Sequence, residues 1–433
     1  MPLTQQNLSQ SIKSLLAHAG RLSIILPLMV GNVAQAATAD LDQARRIHDR
    51  LTGVPPTNAT LFEMETLIVD GNGSPASLEA AAAIAMENPA FYNVTLKNFA
   101  APWTNEDQSV FVRLNDYTAT VVGMIRDDID FREVLSGDIL YTANGTATPD
   151  YSHTSNAHYE ALEDLGPVAG DLSDDTILVK TEQSSIPGGL PAEATAGIMT
   201  TRAASQAFFS DGTNRAMFRF TLMNHLCTDL EPLKDISRVP DRVRQDVSRS
   251  PGGDSRIYMF SCVGCHAGMD GLSGAYAKYN YNTETGRLDY AEAETPNDTS
   301  LNGYSANGIA YKYHINAGNF KSGHIATDDS WVNYWRHGQN KLLGWSSTPA
   351  AGITIDDRGH ANGNGAKSMG AELANSRAFA SCQVKKAFKA VCLRDSDGYA
   401  ADRAQVDNIT NDFISNNYNM KSVFGKVAAY CSQ

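Results

Sequence analysis

No apolar run beyond position 36 approaches the roughly 20 residues that cross a bilayer, so nothing in the body of the chain predicts a transmembrane segment. Cysteine is scarce, with six in 433 residues and the first at Cys227. A lipid anchor on an N-terminal cysteine is therefore not expected. No second C-x-x-C is present, which leaves a zinc knuckle without its other half. Basic charge is outweighed: 35 Lys and Arg face 48 Asp and Glu, for a net charge of −13. That balance argues against nucleic acid and anionic membrane surfaces as partners. The first 36 residues hold no twin-arginine pair, and the chain shows no internal repeat or low-complexity segment.

The N-terminus does carry the parts of a secretory signal. Lys13 and Arg21 supply positive charge, Leu22 to Val30 is an apolar core interrupted by Pro27, and Ala34-Gln35-Ala36 is an A-x-A cleavage site. These predict a signal peptide over 1–36 and a periplasmic or secreted protein of bacterial type; a buried N-terminal helix is the alternative. The remaining chain is acidic. This suits a basic partner protein, although solubility explains it equally well. Its length allows two or three domains.

Patterning predicts a mainly α fold. Leu41, Ala44, Ile47 and Leu51 recur at helical spacing before Gly53 and Pro55-Pro56. Ser74-Pro75 reads as an N-cap with proline at the first helical position, ahead of an alanine-rich stretch. Asn115 to Asp128 is a further helix, and its acidic tail, Asp127-Asp128-Ile129-Asp130, reads as a solvated helix end rather than a metal site. Residues 143–195 turn rich in Gly, Pro, Ser, Thr and Asp. They read as a loop-rich connection, with His153 and His158 as solvated loop histidines. The expected organisation is a helical N-terminal domain (37–142), this connection, and a second helical domain (196–433) ending in helices at Arg377–Leu393, Ala404–Asn416 and Val423–Tyr430.

The chemistry centres on Cys262-Val263-Gly264-Cys265-His266. C-x-x-C-H is the attachment signature of a c-type heme. Residues three apart share a helical face, so both thiols can meet one porphyrin edge and form thioethers with its vinyl groups. The adjacent histidine then reaches the iron. A dithiol redox pair and half of a zinc site are the alternatives, and no βαβ setting supports the former. The expectation is one covalent heme c, bound by Cys262 and Cys265, with His266 as the proximal iron ligand. Ala267 to Asn280 is expected to continue as helix.

Four cysteines remain, a natural count for two disulfides in an oxidising compartment. Cys382 and Cys392 fall on one apparent helix and would lie about 15 Å apart, too far to bridge. Two connectivities survive. We favour Cys392–Cys431 with Cys227–Cys382, with buried free thiols as the alternative.

An arginine-dense passage, Arg238, Arg242, Arg244, Arg249 and Arg256, leads into the motif with Asp241, Asp246 and Asp254 interspersed. Its forks could hold heme propionates or pair with the neighbouring aspartates. On the far side of the iron, His314, His324, His337, His360 and Met369 are candidate ligands, with Met369 and His337 foremost. Met369 follows a glycine-rich loop. His337 follows Trp331 and Trp335, and reads rather as the end of a helix with core aromatics. Met269 shares the His266 face and should not reach the opposite side. A phosphate-loop echo at Gly359–Ser368 lacks both the spacing and a preceding strand, and Asp395-Ser396-Asp397-Gly398 lacks the rest of a calcium loop.

From Ala196 to Asn282 the chain resembles the planctomycete-type cytochrome-c-like exported proteins. The residues that carry this are Ala196-Gly197-Ile198-Met199-Thr200, Gly212-Thr213-Asn214-Arg215, and Cys262–His266 followed by Met269-Asp270-Gly271. Ser376–Cys382 resembles their closing helices. Gly271 directly follows Asp270, where the family commonly has a proline. The resemblance implies a mostly helical heme domain at Cys262, Cys265 and His266, and no substrate. Motif and signal together predict an exported monoheme c-type cytochrome that transfers electrons. The alternatives are a peroxidase- or oxygenase-like enzyme with an open sixth iron position, and a structural module in which heme is a staple. Whether the chain is an enzyme is left open.

Overall fold

The computed structural model describes residues 39–145, 147–209, 213–246, 255–291, 297–300, 302–315 and 320–433. The expected signal peptide, together with Arg249 and Asp254, lies outside the described residues.

The fold is mainly α. Local capping sets its helices where the sequence indicates. The Ser74 hydroxyl accepts from the Ser77 amide to open Pro75–Met86. Asn115 accepts from Thr118 to open Asp116–Arg126, a helix buried along its whole length. Ser376 accepts from Phe379 to open Arg377–Cys392. Each cap satisfies an amide that the helix itself cannot. Pro75–Met86 packs against both Asn58–Asp70 and Met420–Cys431, and Arg377–Cys392 lies against Ala400–Ser415 and Met420–Cys431. The earliest described helix and the last one thus share a core that runs from Ala44 to Cys431.

Strands are short. Leu140–Ala143 pairs with Leu178–Thr181, Tyr279–Asn282 with Arg287–Tyr290, and Ala361–Asn364 sits between Ser330–Asn333 and Thr354–Ile355, all antiparallel. Several expectations are corrected here. The α-helix bearing the C-x-x-C-H motif stops at Ser273 and passes through a 3₁₀ turn, Gly274–Tyr276, into strand Tyr279–Asn282; Gly274 lies so close to strand Ser330–Asn333 that a β-carbon would sit 2.5 Å from the Ser330 carbonyl oxygen. Residues 330–337 form a strand and a 3₁₀ turn rather than a helix, although Trp331 and Trp335 are indeed core. A strand does precede helix Gly365–Ala374 in the phosphate-loop echo, and Lys367 there donates to the Ala192 carbonyl. His158 is buried in helix Ala157–Asp164, where its Nε2 accepts from the Ala143 amide and its Nδ1 donates to the Pro149 carbonyl.

The acidic tail after Asp116–Arg126 is consumed by ion pairs: Asp127 with Arg126, Asp128 with Lys421, and Asp130 with Arg132. Burial alone would raise the Asp127 carboxyl, but hydrogen bonds from Arg126 and Tyr141 hold it below the usual carboxylate range. A depressed folded value means its stabilisation is complete above the unfolded pKa, about 3.9, and fades as pH falls through the folded one. Asp127→Asn should therefore be less stable than wild type at pH 7 in urea unfolding. The gap should close in strongly acidic buffer, and a gap independent of pH would refute this account.

All four non-motif cysteines are bridged, as Cys227–Cys382 and Cys392–Cys431. The first closes a loop with a sequence separation of 155, the second one of 39. By loop-closure entropy, a double serine variant of the long-range pair should lose about 1.2 kcal/mol more than one of the short-range pair. Denaturant titration of both variants measures the difference, and equal losses would count against it.

Candidate functional site

The motif is built on a helix with two unlike sides. A π-helical turn, Tyr258–Cys262, feeds into the α-helix Val263–Ser273. Gly264, Gly268 and Gly271 form its close-packing side. A β-carbon on Gly268 would lie 2.0 Å from the Trp335 indole nitrogen, and one on Gly271 would lie 2.8 Å from the Val332 carbonyl oxygen. Glycine lets the helix backbone rest directly on the aromatic wall. Cys262, Cys265 and His266 occupy the other side.

Both motif thiols are free and half-buried, while every other cysteine is bridged. Burial, with Glu231 nearby, pushes the Cys265 thiol up. Cys262 packs against a satellite cluster of Val243, Tyr258, Val263, Ala267 and Phe320, separate from the main core. The Tyr258 ring meets His266 edge-on at 5.7 Å and Phe320 at 5.1 Å between centroids. Large apolar side chains stand exposed around the motif: Phe260 is 87% exposed, and Ile236, which lies over Gly264, is 74% exposed. Ile257 and Met259 are half-exposed.

A buried ionic chain runs behind His266. Its Nδ1 lies 3.3 Å from Asp270 Oδ1. Asp270 receives Arg215 through Nε and Nη2, both at 2.7 Å, and Arg215 also donates twice to Asp246 at 3.0 Å. Arg244 closes the chain, with Nε 3.3 Å from Asp246 and its guanidinium 3.9 Å over the Tyr313 ring. Burial opposes ionisation of Asp270, yet the Arg215 charge, and then His266, hold its carboxyl well below the usual range. Sequence reasoning marked Arg215 only as part of the family resemblance. Its side chain proves to be the partner that the motif helix needs.

The arginine passage divides. Arg238 pairs with Asp235 and donates to the His337 carbonyl, Arg242 donates to Ser330, and Arg244 pairs with Asp246. Ion pairing with nearby aspartates therefore holds for Arg238 and Arg244. Arg244 Nη1, Tyr258 Oη and His314 Nε2 are buried with no hydrogen-bond partner among the described residues.

The candidate distal ligands fall in different places. Met369 is fully buried in the main core, on helix Gly365–Ala374. His337 and His360 stand perpendicular, 5.2 Å between ring centroids, in a cavity of about 270 Å³ that Tyr334, Arg238 and Arg358 also line. His324 exchanges backbone hydrogen bonds with Val243 and Gln245, and burial, with Arg242 and Arg244 close by, lowers its imidazole pKa. The structure brings Cys262, Cys265 and His266 together, and it brings His337 to His360.

Among the described residues no group of three or more His, Cys, Asp or Glu side chains is arranged to hold a metal ion. A heme iron takes four nitrogens from its porphyrin and asks only His266 of this set. The residues fit such a group on three counts. Two free thiols stand three residues apart, exposed apolar side chains flank them, and unpartnered buried donors at Arg244 and Tyr258 match the acceptors that propionates would bring. Comparison with protein families, with curated proteins and with solved structures found no match to this chain. The reading of the site therefore rests on its own residues.

Gly268→Ala tests the close-packed side directly. The added methyl must displace Trp335, which should cost about 1–3 kcal/mol and shift the tryptophan emission of the folded protein. A variant with wild-type stability would show that the helix does not depend on this contact.

Proposed function

We propose that this chain is an exported monoheme c-type cytochrome that carries electrons for a redox partner protein in the periplasm or outside the cell. One observation carries the reading. In a chain whose other four cysteines are bridged, the two thiols of C-x-x-C-H are left free, half-buried and flanked by exposed apolar side chains, with His266 directly after Cys265. Cys262 and Cys265 would each add sulfur and hydrogen across a vinyl group, fixing the porphyrin by two thioether bonds. His266, engaged at Nδ1, would offer Nε2 to the iron. Arg244 and Tyr258 would hold propionates, and Phe260, Met259 and Ile236 would cover apolar edge. When bound, the group supplies a one-electron Fe(III)/Fe(II) couple. The net charge of −13 suits a partner with a basic docking face.

The resemblance to planctomycete-type cytochrome-c-like proteins supports the same reading through Cys262, Cys265, His266 and Met269-Asp270-Gly271. No helix among the described residues is long and apolar enough to cross a membrane, and the two disulfides suit an oxidising compartment.

The deciding experiment expresses the whole chain in a host with c-type maturation machinery and denatures the product. Heme should stay with the polypeptide, and Cys262→Ala/Cys265→Ala should lose it while keeping the helical circular dichroism of wild type. Heme that separates on denaturation would end this reading and return the two thiols to dithiol chemistry. A low-spin spectrum supports the electron carrier, whereas a high-spin one would replace it with the enzyme.

A further inference from the structure

At Nδ1 His266 faces the fully buried carboxylate of Asp270. We propose, resting on the heme reading above, that Asp270 is a positioning residue for His266: it fixes the imidazole with hydrogen on Nδ1 and Nε2 toward the iron, and its negative charge lowers the reduction potential of the site.

Geometry supports this in three steps. First, His266 and Asp270 are one helical turn apart on Val263–Ser273, so a rigid segment sets their relation. Second, the carboxylate cannot turn away. Arg215 grips both of its oxygens at 2.7 Å, and Arg215 is itself fixed by two bonds to Asp246. Third, Arg244 pairs with Asp246 in turn, so among the described residues the carboxylate behind the histidine is held in a continuous chain of fixed ion pairs.

A carboxylate that accepts from the outer nitrogen of a metal-bound histidine makes the inner nitrogen more basic. A more basic axial nitrogen favours Fe(III) over Fe(II), so the midpoint falls. Asparagine at 270 would keep an acceptor of the same shape and remove the charge.

The test compares the reduction midpoints of the wild-type holoprotein and Asp270→Asn by spectroelectrochemical titration, after covalent heme has been verified in denatured samples of both. The variant should have a higher midpoint, by about tenfold in the reduction equilibrium or 59 mV for a one-electron couple. An unchanged midpoint in a variant with full covalent heme would overturn the inference. Because Arg215 loses a buried partner in this variant, a second measurement covers failure to fold. In reduced wild-type protein labelled with ¹⁵N-histidine, a solvent-protected proton on His266 Nδ1 supports the proposal, and a freely exchanging one overturns it. Wild-type protein without covalent heme would defeat the underlying reading and this inference with it. That outcome is recognised before any potential is measured.

Discussion

Two carboxylates are buried at the centre of the motif half, and one arginine makes that possible. Asp246 and Asp270 would each be costly to strip of water alone, and Arg215 lies between them with paired hydrogen bonds to both. Removing one partner from such an arrangement typically costs about 3–5 kcal/mol. The clamp joins helix Arg215–Thr221, the segment at 244–246 and the motif helix, which are far apart in sequence. On the other side of that helix, Gly268 and Gly271 rest on Trp335, Tyr334 and Val332. Ionic grip on one side and close packing on the other hold the backbone of Cys262–His266 before anything is attached to it. The covalent heme proposed above would need such a frame, because two thiols and one imidazole would have to meet fixed points of a rigid group.

The position of the motif between two cores also matters. Cys262 packs with Tyr258 and Phe320 in a small cluster, whereas Met269, three residues past His266, already belongs to the main core. The reactive side chains thus sit where the interior gives way to the surface. Phe260 and Ile236 stand out from that edge, nearly bare. A group seated there would have one side supported by protein and one rim near solvent, the setting in which an electron can leave over a short path.

Local rules were legible in the sequence and distant ones were not. The caps at Ser74, Asn115 and Ser376 announce their helices because capping is chemistry within three residues. C-x-x-C-H is legible for the same reason. The disulfides were narrowed because a helix keeps Cys382 and Cys392 apart, and the fold then supplied partners from elsewhere. Residues 330–337 misled because Trp331 and Trp335 are one helical turn apart, yet in a strand followed by a tight turn they also reach the same core. Asn362-Gly363-Asn364 carries almost no strand propensity, and pairing with Ser330–Asn333 overrides that. Most telling is Arg215, which is 55 residues from Asp270. No periodicity connects them, and only the tertiary fold shows that the arginine belongs to the motif.

The Cys227–Cys382 bridge has a topological consequence. Positions 262 to 266 lie inside the covalent ring that it closes, together with the whole three-stranded sheet. One protease nick anywhere between 228 and 381 leaves the chain in one piece, with both cut ends still tethered. A peptide carrying the motif can escape only after two cuts, or after one cut and reduction of the bridge. The bridge that staples two distant segments therefore also keeps a singly nicked motif segment attached to the rest of the chain.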